Sequence, residues 1–391
     1  MSLGINKAAT HTRLSIRKGR QMRKAFLFSV ASALALSLVL ALTDLGEAAG
    51  KGKPGGGSTE IVPAIVYVAN QGAGTKIMVA NADGTNRIVV VDNGTRNSRP
   101  SWSPDGSRIL FTSDVNGPGV YCVTVNRSTG QPLDPPLKIV ALSGDAHWWA
   151  KPVWSPKLVP YPGGTHKIAY ANYNSSGFLS IYLQDISDCK TPLGSPTELR
   201  HLTDDVHYKH YAYPSWSPDS DKLAVLATVT GDQAGDPFYD VQVITLGLCD
   251  GNICDTERKS LIQDFAASQL RLASTDFFFP EWGGVTGMDI AVDAMRNLAG
   301  EQEYNVWIIP VDAPASASML TTDTPNRDDG GPSWSPSNME IIYSSRPNEC
   351  KQVCPGTSII VKRNVDGTGY TELIKEKYHV GQPKWWGPQL P

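Results

Sequence analysis

The chain has 391 residues, with 35 Lys and Arg against 38 Asp and Glu, and a formal net charge of −3. This near-neutral balance gives no electrostatic reason to expect nucleic acid or an anionic membrane as a partner. The 36 Gly and 28 Pro lie between many short apolar runs. That pattern favours an all-β chain with tight connections, and a single domain of this kind can run to this length.

The first 48 residues have the order of a secretory signal. A basic stretch over residues 13–24 precedes an apolar segment over 25–42, and Gly46 and Ala48 supply the small residues of a cleavage point. Met22 would begin a more compact signal. We expect cleavage after Ala48, a periplasmic or secreted product, and no membrane insertion afterwards. An uncleaved membrane anchor is the alternative, because an apolar segment of this length nearly spans a bilayer.

Residues 49–60 have the composition of a flexible linker. The linker contains Gly50, Gly52 and Gly55 in the spacing of a dinucleotide-binding fingerprint. That fingerprint needs a strand before it and a helix after it, and the sequence predicts neither here. We therefore predict no cofactor.

A repeated motif determines the predicted fold. The motif Pro-x-Trp occurs six times, and its Trp residues are Trp102, Trp154, Trp216, Trp282, Trp334 and Trp385. A β-rich run follows each of the first five, then a second run, then a weaker polar one, such as residues 197–203 in the repeat that follows Trp154. Successive Trp residues are 51 to 66 residues apart. Four short strands in a repeat of that length are typical of one propeller blade. Each Trp is predicted to pack between blades rather than to bind a ligand.

The two ends of the chain complete each other. Residues 61–95 hold strands two, three and four of a blade, and residues 379–391 hold strand one. Joining them closes the ring and removes the unpaired edges that invite aggregation. The sequence therefore predicts a six-bladed β-propeller over residues 61–391.

The run Trp102-Ser103-Pro104-Asp105-Gly106, with the Ile-rich strand and Asp-Gly-Thr turns of the repeats, resembles the TolB-like, WD40-like repeat family of propellers. The resemblance covers residues 61–391. It implies an extracytoplasmic interaction platform that engages partners near the mouth of the central channel. TolB proteins carry an α/β domain ahead of the propeller, whereas here a short linker precedes the first strand. We therefore expect a propeller-only relative.

The six Cys suggest local disulfides, because an exported chain meets an oxidising compartment. We predict that Cys249 pairs with Cys254 and that Cys350 pairs with Cys354, each across a short loop. A zinc site is the weaker alternative, because neither spacing is usual and no His accompanies them. Cys122 lies in a predicted strand and is expected to be a buried thiol, while Cys189 has no predicted partner.

Candidate binding residues come from aligning the repeats. The residues four positions before each Pro vary but stay polar, charged or aromatic, and all should face one mouth of the channel. They are Arg96, Trp148, His210, Asp276, Asp328 and His379, with His147, Trp149, His207, Tyr211 and Asp329 as neighbours.

Three interpretations of this set compete. A surface for a protein or peptide partner is favoured, with Arg96, Trp148, His210 and Tyr211 as its anchors. Ordinary solvated loop residues are the second. The third is a metal site formed by His210, Asp276, Asp328 and His379. The protein would then be an enzyme or a binding module that depends on a metal or acts on carbohydrate. No catalytic motif is present in the sequence, so we predict a protein that is not an enzyme.

Overall fold

The computed structural model describes residues 63–71, 74–161, 163–190, 192–201, 208–229, 238–262, 277–298, 301–322, 326–347, 358–376 and 379–386. The described residues belong to one compact unit, Glu60–Pro391. The predicted signal and linker, residues 1–60, lie outside them. Within these ranges, no helix has the length and apolar character needed to cross a membrane.

The described residues form six sheets, and each sheet is one blade. The first blade holds β1 (Ile65–Gln71), β2 (Gly74–Ala80), β3 (Ile88–Val91) and, as its inner strand, β25 (Val380–Trp385). The second holds β4 (Asn97–Trp102), β5 (Arg108–Ser113), β6 (Gly119–Thr124) and β7 (Leu137–Ala141). The third holds β8 (Val153–Trp154), β9 (Lys167–Tyr173), β10 (Leu179–Ile186) and β11 (Pro192–Glu198).

The remaining three blades follow the same order. The fourth holds β12 (Arg200–His201), β13 (Tyr208–Trp216), β14 (Lys222–Val229), β15 (Phe238–Cys249) and β16 (Asn252–Ser260). The fifth holds β17 (Phe277–Gly283), β18 (Asp289–Leu298), β19 (Glu301–Pro310) and β20 (Ser318–Met319). The sixth holds β21 (Arg327–Trp334), β22 (Glu340–Pro347), β23 (Ile359–Asn364) and β24 (Thr371–Lys375). Two short 3-10 helices, η1 (Ala146–Trp148) and η2 (Pro314–Ser316), lie in connections.

The ring closes as predicted. Strand β25 pairs antiparallel with β1, with Ile65 opposite Trp385 and Val68 opposite Gly381. The side chains of the first and last blades also share a core, because Tyr67 packs with Ile342 of the sixth blade. The prediction of a six-bladed propeller closed by the last strand is therefore confirmed.

The repeated Trp residues form the core between blades. Five of the six are buried, with exposed fractions between 1% and 8%, and Trp385 is half-buried. A large aromatic side chain at one level of each blade buries much apolar area against the next blade. The prediction that these residues are structural is confirmed for these five.

One blade departs from the predicted pattern. The sequence predicts residues 197–203 as the fourth strand of the third blade. The structure instead gives that position to β11, which starts at Pro192, and assigns Arg200 and His201 to the next blade. There β12 pairs parallel with β16 and makes a five-stranded sheet. The polar run thus passes from one blade to the next rather than ending the third.

The disulfides are confirmed in one case and corrected in another. Cys249 and Cys254 are bonded across the hairpin of β15 and β16, as predicted. The prediction of a free thiol at Cys122 is wrong, because Cys122 is bonded to Cys189. Strand β6 of the second blade carries Cys122, and Cys189 follows β10 of the third blade, so this bond joins neighbouring blades. The predicted pair of residues 350 and 354 lies outside the described residues.

Removing residues 379–391 should unfold the protein or make it insoluble. The deletion exposes β1 and leaves the first blade without its inner strand, so the ring ends in unpaired edges. Thermal melting and soluble yield measure the effect, and a synthetic peptide of residues 379–391 added in trans is the rescue control. A truncated protein that melts like the full chain would refute closure by β25.

The two disulfides should differ in their contribution to stability. Replacing Cys122 and Cys189 by Ala should lower the free energy of unfolding by about 4 kcal/mol, because their 67-residue separation closes a long loop. The same change at Cys249 and Cys254, five residues apart, should lower it by about 2 kcal/mol. Denaturant titration compares the two variants. Equal losses would contradict the loop-length argument.

Candidate functional site

The residue directly before each repeat Pro has the same unusual backbone conformation in all six blades. Five non-glycine residues at this position have a positive φ, between 36° and 56°, and Gly331 has a φ of 64°. In five of the six blades the strand register shifts at the same place, for example between Ser98 and Ser101, whereas β8 of the third blade starts only after its Pro. Positive φ in a non-glycine residue is strained and persists only where the surroundings impose it. We call these six residues the channel plug: Arg99, Lys151, Tyr213, Phe279, Gly331 and Gln382.

The plug residues contact one another across the channel. The guanidinium of Arg99 lies 4.2 Å from the ring centroid of Phe279 and 5.2 Å from that of Tyr213. The backbone N–H of Arg99 donates to Oε1 of Gln382 at 2.7 Å. These contacts join the first, second, fourth and fifth blades, so the bulged residues meet near the axis.

A buried ion cluster extends the plug. The ammonium group of Lys151 lies 3.1 Å from the carboxylate of Glu281, which also pairs with Lys384. Burial lowers the pKa of Lys151 to about 7, although Glu281 opposes the shift. Burial would raise the pKa of Glu281, but Lys384 and Lys151 together hold it below its ordinary value. The amino groups of Lys151 and Lys384 therefore share one carboxylate.

Asp293 lies on the other side of the plug. Its side chain is buried, and burial raises its pKa to about 7, against the opposing backbone hydrogen bond from Gly331 and the charge of Arg99. Within the described part of the chain, its Oδ1 has no hydrogen-bond partner. A buried carboxylate of this kind binds a proton near neutral pH.

Two cavities lie on either side of the plug. The upper cavity, of about 350 Å³, lies where the inner strands begin and includes Asp293, Tyr304, Asp328, Arg346 and His379 in its wall. The lower cavity, of about 320 Å³, lies where the inner strands end in Ser-Pro turns. Arg99, a plug residue, also lines the upper cavity, and Lys384, which pairs with Glu281 beside the plug, lines the lower cavity.

The structure brings two predicted anchors together. The guanidinium of Arg96 lies 4.2 Å from the ring centroid of Trp148, and both side chains are exposed. The ring of His147 packs 4.9 Å from that of Trp148. Arg99 of the plug donates to the carbonyl oxygen of Trp148 at 3.2 Å. An exposed aromatic and arginine pair thus stands beside the channel axis.

Two other predicted residues are placed differently. His210 is half-buried, accepts the backbone N–H of Leu179 at 3.1 Å and packs against the ring of Phe178. Tyr211 is buried, with 3% of its surface exposed, and the guanidinium of Arg258 lies 4.9 Å from its ring centroid. Successive side chains of a strand point to opposite faces, so the residue after His210 enters the core and is removed from the mouth.

Asp328 and His379 both line the upper cavity. Asp328 pairs with Arg346 at 3.2 Å, and Nδ1 of His379 lies 2.6 Å from the hydroxyl of Ser358. Among the described residues, no three His, Cys, Asp or Glu side chains group closely enough to hold a metal ion. Residues 207 and 276 of the predicted set lie outside the described ranges.

The sequence alone did not reveal the plug or its charges. The alignment that selected the residues four before each Pro also aligns the residues one before it. The residue type at that position varies more than it does four positions before the Pro, from Arg to Gly. Its backbone has a positive φ in all six blades. Asp293 could not be found this way, because it comes from a second strand, β18.

Comparison with known proteins points to one family. No family model matches the chain. Seventy residues are 40% identical to Tol-Pal system protein TolB of Bordetella pertussis, covering 18% of this chain and 16% of that protein. Seventy-five residues are 37% identical to the TolB of Nitrosomonas europaea, covering 19% and 17%. The chain thus matches less than a fifth of the length of these relatives.

Solved structures agree on the fold. TolB from Acinetobacter baumannii aligns with a TM-score of 0.54 at 18% identity, over 83% of this chain and 66% of that one. A TolB-type structure from Agrobacterium tumefaciens aligns with a TM-score of 0.50 at 15% identity, over 84% and 99%. Likeness at these identities shows the fold alone.

The closed ring and its plugged channel define the class, a six-bladed β-propeller with two mouths. Within that class, the chain is similar to TolB, in sequence over the short matched segment and in fold over most of its length.

Replacing Asp293 by Asn should raise the melting temperature by an amount that grows with pH. The folded pKa of Asp293 is raised to about 7 from 3.8. Its protonated form therefore stabilises the folded state fully below the unfolded pKa, and this stabilisation is lost as pH rises through 7. Asn keeps the shape without the charge. Melting curves at about pH 4 and pH 8 measure the difference.

The matched control is Asp134→Asn, because the Asp134 side chain is exposed. This variant should show the same difference from the unmodified protein at both pH values. A gain for Asp293→Asn that is equal at both pH values would contradict a buried, proton-binding carboxylate.

Proposed function

We propose that the chain is an exported TolB-like propeller that binds a protein or peptide partner at its upper mouth and has no enzymatic role. The observation that carries the proposal is the exposed pair of Arg96 and Trp148, which is linked to the upper cavity by the bond from Arg99 in its wall to the carbonyl oxygen of Trp148. Trp and Arg are the residue types that most often dominate the energy of protein interfaces. An exposed Trp stacked with Arg also offers a rigid surface at a small loss of conformational entropy.

The surroundings of the pair suit a partner rather than free solvent. Arg99 joins the pair to the upper cavity, which combines aromatic side chains, Phe278 and Tyr304, with the ion pair of Asp328 and Arg346. Apolar surface in a concave centre with polar groups around it is the usual composition of an interface. We infer that a partner segment enters this cavity while its rim contacts Trp148.

The relatives' name, Tol-Pal system protein, suggests where to look for the partner. We propose a Tol-Pal-related, periplasmic role for this chain. The inter-blade disulfide supports export, because such bonds persist in oxidising compartments. We also propose the signal over residues 1–48 and a mature chain that starts at Ala49.

Replacing Trp148 by Ala should weaken partner binding by at least about fivefold, equivalent to about 1 kcal/mol, while the melting temperature barely changes. The reason is that Trp148 is 39% exposed and contributes little to the core. Crosslinking in intact cells followed by mass spectrometry identifies the partner, and titration with the purified partner gives the affinity.

Tyr370→Ala is the matched control. Tyr370 is 40% exposed and also lies under a guanidinium, that of Arg363, but in a turn between β23 and β24. This variant should lose a similar stacked contact and keep the affinity. Unchanged affinity in both Trp148→Ala and Arg96→Ala would show that the upper mouth does not bind the partner.

A further inference from the structure

A second pair of side chains, Asp114 and His147, lies behind the exposed pair of Arg96 and Trp148. Asp114 lies in the turn between β5 and β6, and His147 lies in η1 directly before Trp148. Nε2 of His147 is 3.6 Å from Oδ1 of Asp114. The proposed function uses the exposed pair and assigns no role to the second one.

Each residue of the second pair contacts one residue of the exposed pair. The backbone N–H of Asp114 donates to the carbonyl oxygen of Arg96 at 3.2 Å. The ring of His147 lies 4.9 Å from that of Trp148, with an angle of 38° between the ring planes. The guanidinium of Arg96 completes the set, because it lies 4.2 Å from the ring centroid of Trp148. A change in the contact between Asp114 and His147 therefore reaches Trp148 directly.

Asp114 and His147 face each other without a hydrogen bond. Among the described residues, Oδ1 of Asp114 and both ring nitrogens of His147 are buried and have no hydrogen-bond partner. The 3.6 Å between Nε2 and Oδ1 is too long for such a bond. Buried polar groups without partners cost free energy, so a state that joins the two side chains is favoured.

Protonation of His147 supplies the contact that this arrangement lacks. Histidine is the side chain that ordinarily changes charge between about pH 5 and pH 8, and its protonated ring donates from both nitrogens. The added positive charge faces the carboxylate of Asp114, and a charge-assisted hydrogen bond is shorter and stronger than a neutral one. A cationic ring is also attracted to the face of a neighbouring indole. Both contacts restrict the motion of Trp148.

The other acidic groups near η1 do not replace Asp114. Asp145 precedes His147 in the same connection, but its side chain is exposed and accepts the hydroxyl of Tyr173 of β9 at 2.7 Å. Burial and this bond raise the pKa of Tyr173 to about 12. Tyr173 therefore stays neutral over the range in which a histidine changes charge, and Asp114 is the negative charge that faces His147.

Three basic groups lie around the set. Arg96 is exposed, so solvent screens its repulsion of a protonated His147. Lys138 of β7 donates to two carbonyl oxygens of the turn that carries Asp114. Arg99 of the plug donates to the carbonyl oxygen of Trp148. These bonds hold the backbone on both sides, so the side chains of the second pair are the part that can rearrange.

We propose that His147 is a positioning residue, whose protonated ring binds Asp114 and holds Trp148 in the geometry that the partner contacts. Partner binding then strengthens as the pH falls, because an anchor that is already fixed loses less conformational entropy on binding. This inference rests on the proposed partner site at the upper mouth and adds regulation by pH to it.

Fluorine NMR of the full chain labelled with fluorotryptophan tests the positioning without a partner. The resonance of Trp148 is assigned by its absence in Trp148→Phe. We expect this resonance to shift between about pH 5 and pH 8. His147→Gln should remove the shift because Gln does not titrate, and Asp114→Asn should remove it because the amide does not attract a protonated ring.

His166→Gln is the matched control. His166 is half-buried in the same blade as β8 and lies at the opposite end of it, with Nδ1 3.2 Å from the carbonyl oxygen of Ser155. This variant also removes one titrating ring, but it should leave the pH-dependent shift of Trp148 unchanged.

The affinity for the partner identified by crosslinking is the second measurement. The unmodified protein should bind at least about threefold more tightly at pH 6 than at pH 8, because one side chain is ordered in advance. His147→Gln should bind with the same affinity at both pH values.

Two results overturn the proposal. One is a Trp148 resonance that does not move with pH or moves equally in His147→Gln. The other is a partner affinity of the unmodified protein that is equal at both pH values, or a pH dependence that persists in His147→Gln. A failure of the proposed partner site looks different, because it appears as unchanged affinity in Trp148→Ala and leaves the fluorine titration of Trp148 as it is.

Discussion

The proline at the start of each inner strand is the constraint on which the rest of the molecule depends. Proline has no backbone N–H and restricts the residue before it. The inner strand therefore cannot continue its ladder through this point. In all six blades the residue before the Pro has a positive φ, and in five of them the strand register shifts there. The side chain of the residue before the Pro turns toward the channel. The Trp two residues after the Pro enters the core between blades.

This geometry separates the channel into two ends. The plug fills the middle with stacked and charged side chains, since Arg99 lies over Phe279 and Lys151 reaches Glu281. Each mouth then has its own lining, drawn from residues before the bulge above and from residues after the Pro below. A ligand bound at one mouth therefore does not contact the residues that line the other mouth. It contacts the plug only through residues such as Arg99, which also lines the upper cavity.

The sequence predicts the structural features that are present in every repeat. It does not predict contacts that occur only once in the ring. Blade number, closure by β25 and the buried Trp residues follow from a motif written six times, and the structure confirms them. The bond between Cys122 and Cys189 occurs once, between blades, over 67 residues, so no local spacing indicates it. Tyr211 was placed at the mouth by proximity to His210, yet strand alternation puts neighbours on opposite faces. Asp293 joins the site from a second strand, which an alignment of inner strands does not include.

The position after each Pro combines a regular structural role with variation around the ring. In alternate blades this residue is Ser, and each Ser is bonded to the next blade. Ser101 donates to the carbonyl oxygen of Pro152 at 2.6 Å, whereas Ser215 and Ser333 accept the backbone N–H groups of Trp282 and Trp385.

The three blades between them carry Val153, Glu281 and Lys384 at the same position. The Ser residues hold the ring together at three points in a regular way, so the other three side chains are released from that role. Two of those three form the charged floor of the lower cavity. At the position after the Pro, the fold therefore fixes the residue type in every second blade and leaves it free to vary in the blades in between.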